Sequence, residues 1–262
     1  MRLPHLLIAT LFFLPLHASA DVTCEGRYGW HLQSIARDSA GNLYWSFTVD
    51  LVKTDAHGQV LAHVSVPSHH GDLTVANGLV YSAVKLADKD LTEGKGNCWV
   101  YAYRAEDLRL AWRKPVRGVG GIGTRDGHLF IAHDKSDSGE AIYLNEYDGD
   151  ANFLKRHAID SGPIFLGVQT VCFADGAWWL GLYGKPPQML HVSDDFSAVT
   201  RSEFDCAVGI TPGLEGALLV ARSLPVFDKR HSARVVTARP DDTGSLTVVT
   251  DSLQEDPAEA IR

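Results

Sequence analysis

The stretch Ile35-Ala36-Arg37-Asp38-Ser39-Ala40-Gly41-Asn42-Leu43-Tyr44-Trp45, continued by Leu51-Val52-Lys53-Thr54-Asp55-Ala56-His57-Gly58-Gln59-Val60, decides the fold. It reads as a strand, a glycine turn, an apolar-aromatic strand, and then a second hairpin with a glycine of its own. The first half of the pattern returns four times. The copies are Leu73-Thr74-Val75 with Leu79-Val80-Tyr81, Ile122-Gly123-Thr124 with Leu129-Phe130-Ile131, Thr170-Val171-Cys172-Phe173 with Trp178-Trp179-Leu180, and Gly209-Ile210-Thr211 with Leu218-Leu219-Val220. Their turn glycines, Gly41, Gly78, Gly127, Gly176 and Gly216, are 37, 49, 49 and 40 residues apart. Tight hairpin turns need a positive φ, which glycine adopts without steric cost. A repeat of this period is the signature of a propeller or a solenoid.

Two more strands follow each hairpin, for example Trp99-Val100-Tyr101-Ala102-Tyr103 and Leu110-Ala111-Trp112 in the second repeat. No stretch sustains a helical period. We therefore expect an all-β fold, a five-bladed β-propeller with four antiparallel strands per blade, as a single domain over residues 21–262. A pair of β-sandwiches is the competing architecture, but it does not call for five copies of one turn. The segment Ile35–Val60 also resembles the NHL and SMP-30-like propeller repeats, through its Asp, its Gly-Asn-Leu-Tyr, and its Val-Lys-Thr-Asp before a glycine turn. The resemblance covers about 30 residues well and is diluted in the other repeats. It implies a propeller and no single activity, because such propellers include hydrolases, lactonases, lyases and binding modules.

The N-terminus reads as an export signal. Arg2 precedes an apolar run from Leu6 to Leu16, too short to span a bilayer, and Ala18-Ser19-Ala20 fits a signal-peptidase site. Residues 1–20 are expected to be removed, and the mature chain to work in the periplasm or as a secreted protein. The whole chain has 24 basic and 32 acidic residues; losing Arg2 leaves 23 against 32, a net charge of −9. An acidic chain without a basic block argues against nucleic acid and anionic membranes as partners. The expected ligand is a small molecule or an oligosaccharide, and the expected state a monomer. The four cysteines are widely spaced with no CxxC, which argues against a zinc knuckle. Cys24 precedes the first blade and Cys206 the fifth. These blades become neighbours when a ring closes, so a Cys24–Cys206 disulfide is expected, with Cys98 and Cys172 free.

The topology sorts polar residues by face. Glycine turns occupy one face, so first-strand starts and second-strand ends meet on the other. That face collects His31, Gln33, His69, His70, Asp72 and Gln169 from the starts, and Lys85, His133, Asp134, Tyr183 and Arg222 from the ends. His31, His70 and Asp72 are candidates for a divalent metal site or for a general base with its partner, since imidazole and carboxylate suit both. His133 and Tyr183 are a candidate acid–base pair for β-elimination of acidic sugars. Gln33, His69, Lys85, Gln169 and Arg222 are candidate substrate contacts, the cations for a carboxylate or phosphate. Trp45, Trp112, Trp178 and Trp179 read as packing residues. The expected function is a carbohydrate lyase or a metal-assisted hydrolase acting on a carbohydrate-like or carboxylated small substrate. The alternative is a non-catalytic propeller that binds a glycan or a protein on the same face.

Overall fold

The structure, a computed structural model, describes residues 21–67, 69–87, 96–133, 141–226 and 228–249. The expected leader (1–20), Asp134 and the C-terminal Gln254–Arg262 lie outside the described residues. The described chain is an all-β five-bladed propeller. Blade one is β3 (Leu32–Arg37), β4 (Leu43–Phe47), β5 (Asp50–Thr54) and β6 (Val60–Ser65). Blade two is β7 (His70–Ala76), β8 (Leu79–Lys85), β9 (Cys98–Arg104) and β10 (Leu110–Pro115). Blade three is β11 (Ile122–Arg125), β12 (His128–Ala132), β13 (Ile142–Tyr147) and β14 (Phe153–Ile159). Blade four is β15 (Phe165–Ala174), β16 (Ala177–Tyr183), β17 (Gln188–Ser193) and β18 (Val199–Ser202). Each is an antiparallel meander in chain order.

Burial grades outward along each blade. Strand β4, Leu-Tyr-Trp-Ser-Phe, is buried throughout, because both faces of a middle strand pack against neighbouring blades. The outer strands β6 and β10 alternate between half-buried and exposed residues. Five apolar clusters fill the five inter-blade spaces, with Tyr44, Leu51 and Trp99 between blades one and two, and Phe130 and Trp178 between three and four. Trp45, Trp178 and Trp179 are buried, as the packing assignment requires, whereas Trp30 is exposed.

Blade five is built differently. Its first three strands are β19 (Ile210–Pro212), β20 (Leu218–Pro225) and β21 (Arg230–Pro240). Its outer strand is assembled from both parts of the chain. On the C-terminal side β22 (Leu246–Val248) pairs with Ala238–Pro240, while β1 (Val22–Thr23) and β2 (Tyr28–Gly29) pair with β21 farther along. The N-terminal strap thereby closes the ring without covalent help. All four cysteines are free, and the expected Cys24–Cys206 bridge is not formed. Cys24 packs between blades five and one, Cys206 between four and five. They lie on opposite faces of blade five's sheet, as do the successive residues Val235 and Val236, so adjacency in the ring does not bring the two thiols together.

The strap also crosses blade one, where the Glu25 amide donates to Gly58 O at 2.9 Å. Gly58 has φ +85°, and a Cβ there would lie 2.0 Å from Thr23 O. Gly78 has a similar φ of +74° but open space around it. Gly78→Ala should cost about 1 kcal/mol, the left-handed penalty alone. Gly58→Ala should cost roughly 2–4 kcal/mol, since overpacking against the strap adds to that penalty. Urea unfolding midpoints of the two variants test the strap's role, and equal losses would show that it does not hold the ring.

Candidate functional site

The face opposite the glycine turns opens into a funnel on the propeller axis with a volume of about 220 Å³. Its walls come from four blades, with Gln33, His69, Asp72, Lys85, Gln169 and Tyr183 among backbone supplied by Gly71 and Gly120. Three of these side chains owe their direction to register shifts. Strand β3 slips between Leu32 and Ser34, β7 between His70 and Leu73, and β15 between Val168 and Thr170. A bulge re-aims the residue it carries. Gln33, Asp72 and Gln169 occupy the shifted positions and line the funnel. A close backbone approach completes it, since a Cβ on Gly120 would sit 2.6 Å from Val168 O.

Asp72 forms the floor. Its Oδ1 accepts from Ser34 Oγ, and its Oδ2 accepts from the amides of Ile122 and Val171, both at 2.8 Å. Ser34 Oγ in turn accepts from the Leu73 amide at 3.0 Å. One carboxylate thus joins the inner strands of blades one to four. Burial pushes its pKa up to about 7, against the lowering effect of these hydrogen bonds.

Above it, Gln33 Nε2 donates to Thr48 Oγ1 at 3.0 Å and to His31 Nε2 at 2.8 Å. The accepting His31 ring is therefore neutral with its proton on Nδ1. Burial and then His231, whose ring centroid is 6.3 Å away, lower the His31 pKa. His69 and Lys85 face each other through two backbone hydrogen bonds of 2.9 and 3.1 Å. Desolvation, then His31 and Lys85, lower the His69 pKa. Gln169 Nε2 donates to Leu166 O at 2.7 Å and Gly167 O at 3.3 Å, pinning its own bulge. Burial and then Asp205 raise the Tyr183 pKa.

The structure does not gather His31, His70 and Asp72 into one site. In a regular strand His70 and Asp72 share a face. The shift in β7 separates them, and His70 turns into the cluster between blades one and two. There it is fully buried, with Nδ1–H donating to Pro67 O at 2.6 Å and Nε2 accepting from Tyr103 Oη at 2.7 Å. Burial pulls its pKa down to about 4. Both ring nitrogens are used, and both Asp72 oxygens are occupied. Among the described residues no three His, Cys, Asp or Glu side chains are disposed to hold a metal.

His133 does not line the funnel with Tyr183. It packs behind Gly118, where a Cβ would meet its Nδ1 at 2.4 Å. Arg222 donates to Asp205 O at 2.7 Å and to Ala221 O at 3.1 Å, and lies over Phe204, serving the link between blades four and five. Sequence reasoning missed Ser34, His231 and Leu166. Ser34 carries no signal in a strand, and His231 lies at the start of β21, far in the chain from His31. Leu166 belongs to the run Ile164-Phe165-Leu166, whose unbroken apolar character ahead of β15's buried segment was the available clue.

No protein-family model matches the chain, and no curated protein does. Solved structures do. The chain is similar to the GH43B protein of a xyloglucan locus from Bacteroides ovatus, with a TM-score of 0.62 and 12% identity over 88% of this chain and 56% of that one. It is similar to a gluconolactonase from Xanthomonas campestris, with a TM-score of 0.51 and 15% identity over 78% and 71%. It is also similar to the WD40 repeats of RRP9, with a TM-score of 0.53 and 8% identity over 89% and 84%. At these identities the likeness is one of fold, shared by carbohydrate-active enzymes and by WD40 repeats alike.

The Asp72 knot has a pH signature. The folded state holds a proton up to about pH 7 that the unfolded chain releases near 3.8. The stability that this group contributes is therefore present below the lower value and is lost as pH rises towards the upper one. Buried neutral His70 acts with the opposite sign between about 4 and its ordinary 6.5, favouring the fold as pH rises. Asp72→Asn keeps an oxygen for the two amides and an amide for Ser34. It should gain stability relative to the parent as pH rises from about 4 to about 7. Asp72→Ala orphans two buried N–H groups at about 1–3 kcal/mol each. Urea titrations across this range check both, and a pH-independent Asn difference would show that Asp72 does not titrate there.

Proposed function

We propose that the protein is an exported propeller that binds a small carboxylate-bearing, sugar-like ligand in the axial funnel. One observation carries this reading: the amides of Gln33 and Gln169, the His69 imidazole, the Lys85 ammonium and the Tyr183 phenol line one small concavity. The funnel's volume equals about seven liquid waters, below the range of drug-sized pockets and suited to one small molecule. Its one lining carboxylate, Asp72, is occupied by protein donors, so the side chains that face a ligand are chiefly His69, Lys85 and Tyr183. The two Gln33 N–H groups are spent on Thr48 and His31, which leaves its carbonyl oxygen to accept from a ligand hydroxyl.

A second reading, catalysis, rests on His69 and Tyr183 lining the same funnel. The lowered His69 pKa keeps a neutral imidazole available as a base, and a phenol is a competent proton donor. Together they suit proton abstraction beside a carboxylate, the first step of β-elimination from a uronate.

Calorimetric titration with hexuronates, aldonates and the matching neutral sugars tests the proposal. The acidic sugars should bind, and Lys85→Ala should weaken them about 10–100-fold, the worth of one hydrogen bond to a charged group. Neutral sugars binding equally well, or an unchanged Lys85→Ala, would overturn it. Release of an unsaturated uronate, lost in both His69→Ala and Tyr183→Phe, would establish the catalytic reading.

A further inference from the structure

Beside the funnel, blade four carries a second concavity of about 900 Å³, lined by Ile164, Phe165, Leu166, Tyr183, Lys185 and Arg201 among others. It shares Leu166 and Tyr183 with the funnel, so the two are continuous. Phe165 and Leu166 are 64% and 61% exposed. Contiguous exposed apolar surface rimmed by polar side chains is a mark of ligand-binding grooves.

The chain works to hold them there. Leu166 has φ +59°, a left-handed conformation that a bulky residue adopts at a cost and that Asn or Gly adopts cheaply. The Gln169 amide fixes the bulge by donating to Leu166 O. The Arg201 guanidinium fixes the preceding strap by donating to Ser161 O, Pro163 O and Gln188 Oε1. Those three acceptors are neutral, so they leave the positive charge of Arg201 uncompensated. Lys185 adds a second cation to the lining, and the lining contains no carboxylate.

We propose that this shelf is a binding site for a small aromatic carboxylate, its ring against Phe165 and Leu166 and its carboxylate towards Lys185 and Arg201. The volume lies within the range of single small-molecule pockets, and the charge of the lining fixes the sign of the ligand. This site goes beyond the funnel reading and stands without it, because it has its own cations and its own apolar floor.

The probe is 2-naphthoate, followed by its fluorescence and by calorimetry on the mature protein. The parent should bind it. Phe165→Ser/Leu166→Asn should weaken binding at least tenfold, and Lys185→Gln several-fold. Uncharged 2-naphthamide should bind several-fold more weakly than the carboxylate. Leu166→Asn alone should melt no lower than the parent, since Asn tolerates the left-handed backbone, and should itself weaken binding, so that this loss cannot be ascribed to unfolding. Lys85→Ala, at a residue that lines the funnel and not the shelf, should leave naphthoate affinity unchanged. No binding by the parent at millimolar probe, or undiminished binding by the double variant, overturns the proposal. Binding abolished by Lys85→Ala and kept by the double variant places the probe in the funnel and also overturns the shelf. Equal affinity for the amide removes the carboxylate from the assignment.

Discussion

Inner strands of a propeller face a common axis and have no further strand to pair with there. Their inward amides must find acceptors in a space too narrow for much water, because an orphaned buried N–H costs about as much as a lost hydrogen bond. Here one side chain answers for several of them. The Asp72 carboxylate takes the Ile122 and Val171 amides and the Ser34 hydroxyl, so that blades one to four are registered against one another at a single point. Blade five joins the ring by other means, through Thr170 Oγ1 donating to Cys206 O and through the strap pairing with β21.

The same constraint shapes the site. With its floor closed by the Asp72 knot, the funnel is a cup on one face of the molecule. The bulges that let β3, β7 and β15 bring their first residues to the axis also turn Gln33, Asp72 and Gln169 inward. Structural and ligand-facing roles therefore lie on neighbouring residues. Asp72 and Ser34 serve the ring, while His69 and Lys85, one hydrogen-bonded pair farther out, remain at the opening. On blade four the larger bulge extends the opening sideways into the apolar shelf.

The propeller was legible because its signals are local. A glycine turn between a short strand and an apolar-aromatic strand can be counted along the chain, and five counts with blade-sized spacing leave few architectures. The site face was legible for the same reason, since topology alone puts strand starts and ends together. The composition of the site was only partly legible. Gln33, His69, Lys85, Gln169 and Tyr183 do line the funnel, whereas His70, His133 and Arg222 are turned to other partners. A one-residue register shift reverses a side chain's face, and in His69-His70-Gly71-Asp72 the one hint of it is Gly71, since a glycine inside a strand often marks a bulge.

The sequence by itself determined the blade count, the five turns, the acidic balance and the face on which polar residues collect. Each of these follows from residue type and spacing over a few tens of positions. Only the tertiary structure decided which of two nearby residues, His70 or Asp72, reaches the axis, that the ring closes through a composite outer strand with its cysteines free, and that Phe165 and Leu166 stand in solvent. Those outcomes depend on contacts between residues far apart in the chain, such as Asp72 with Val171 or Val22 with Val235, whose geometry no local pattern encodes.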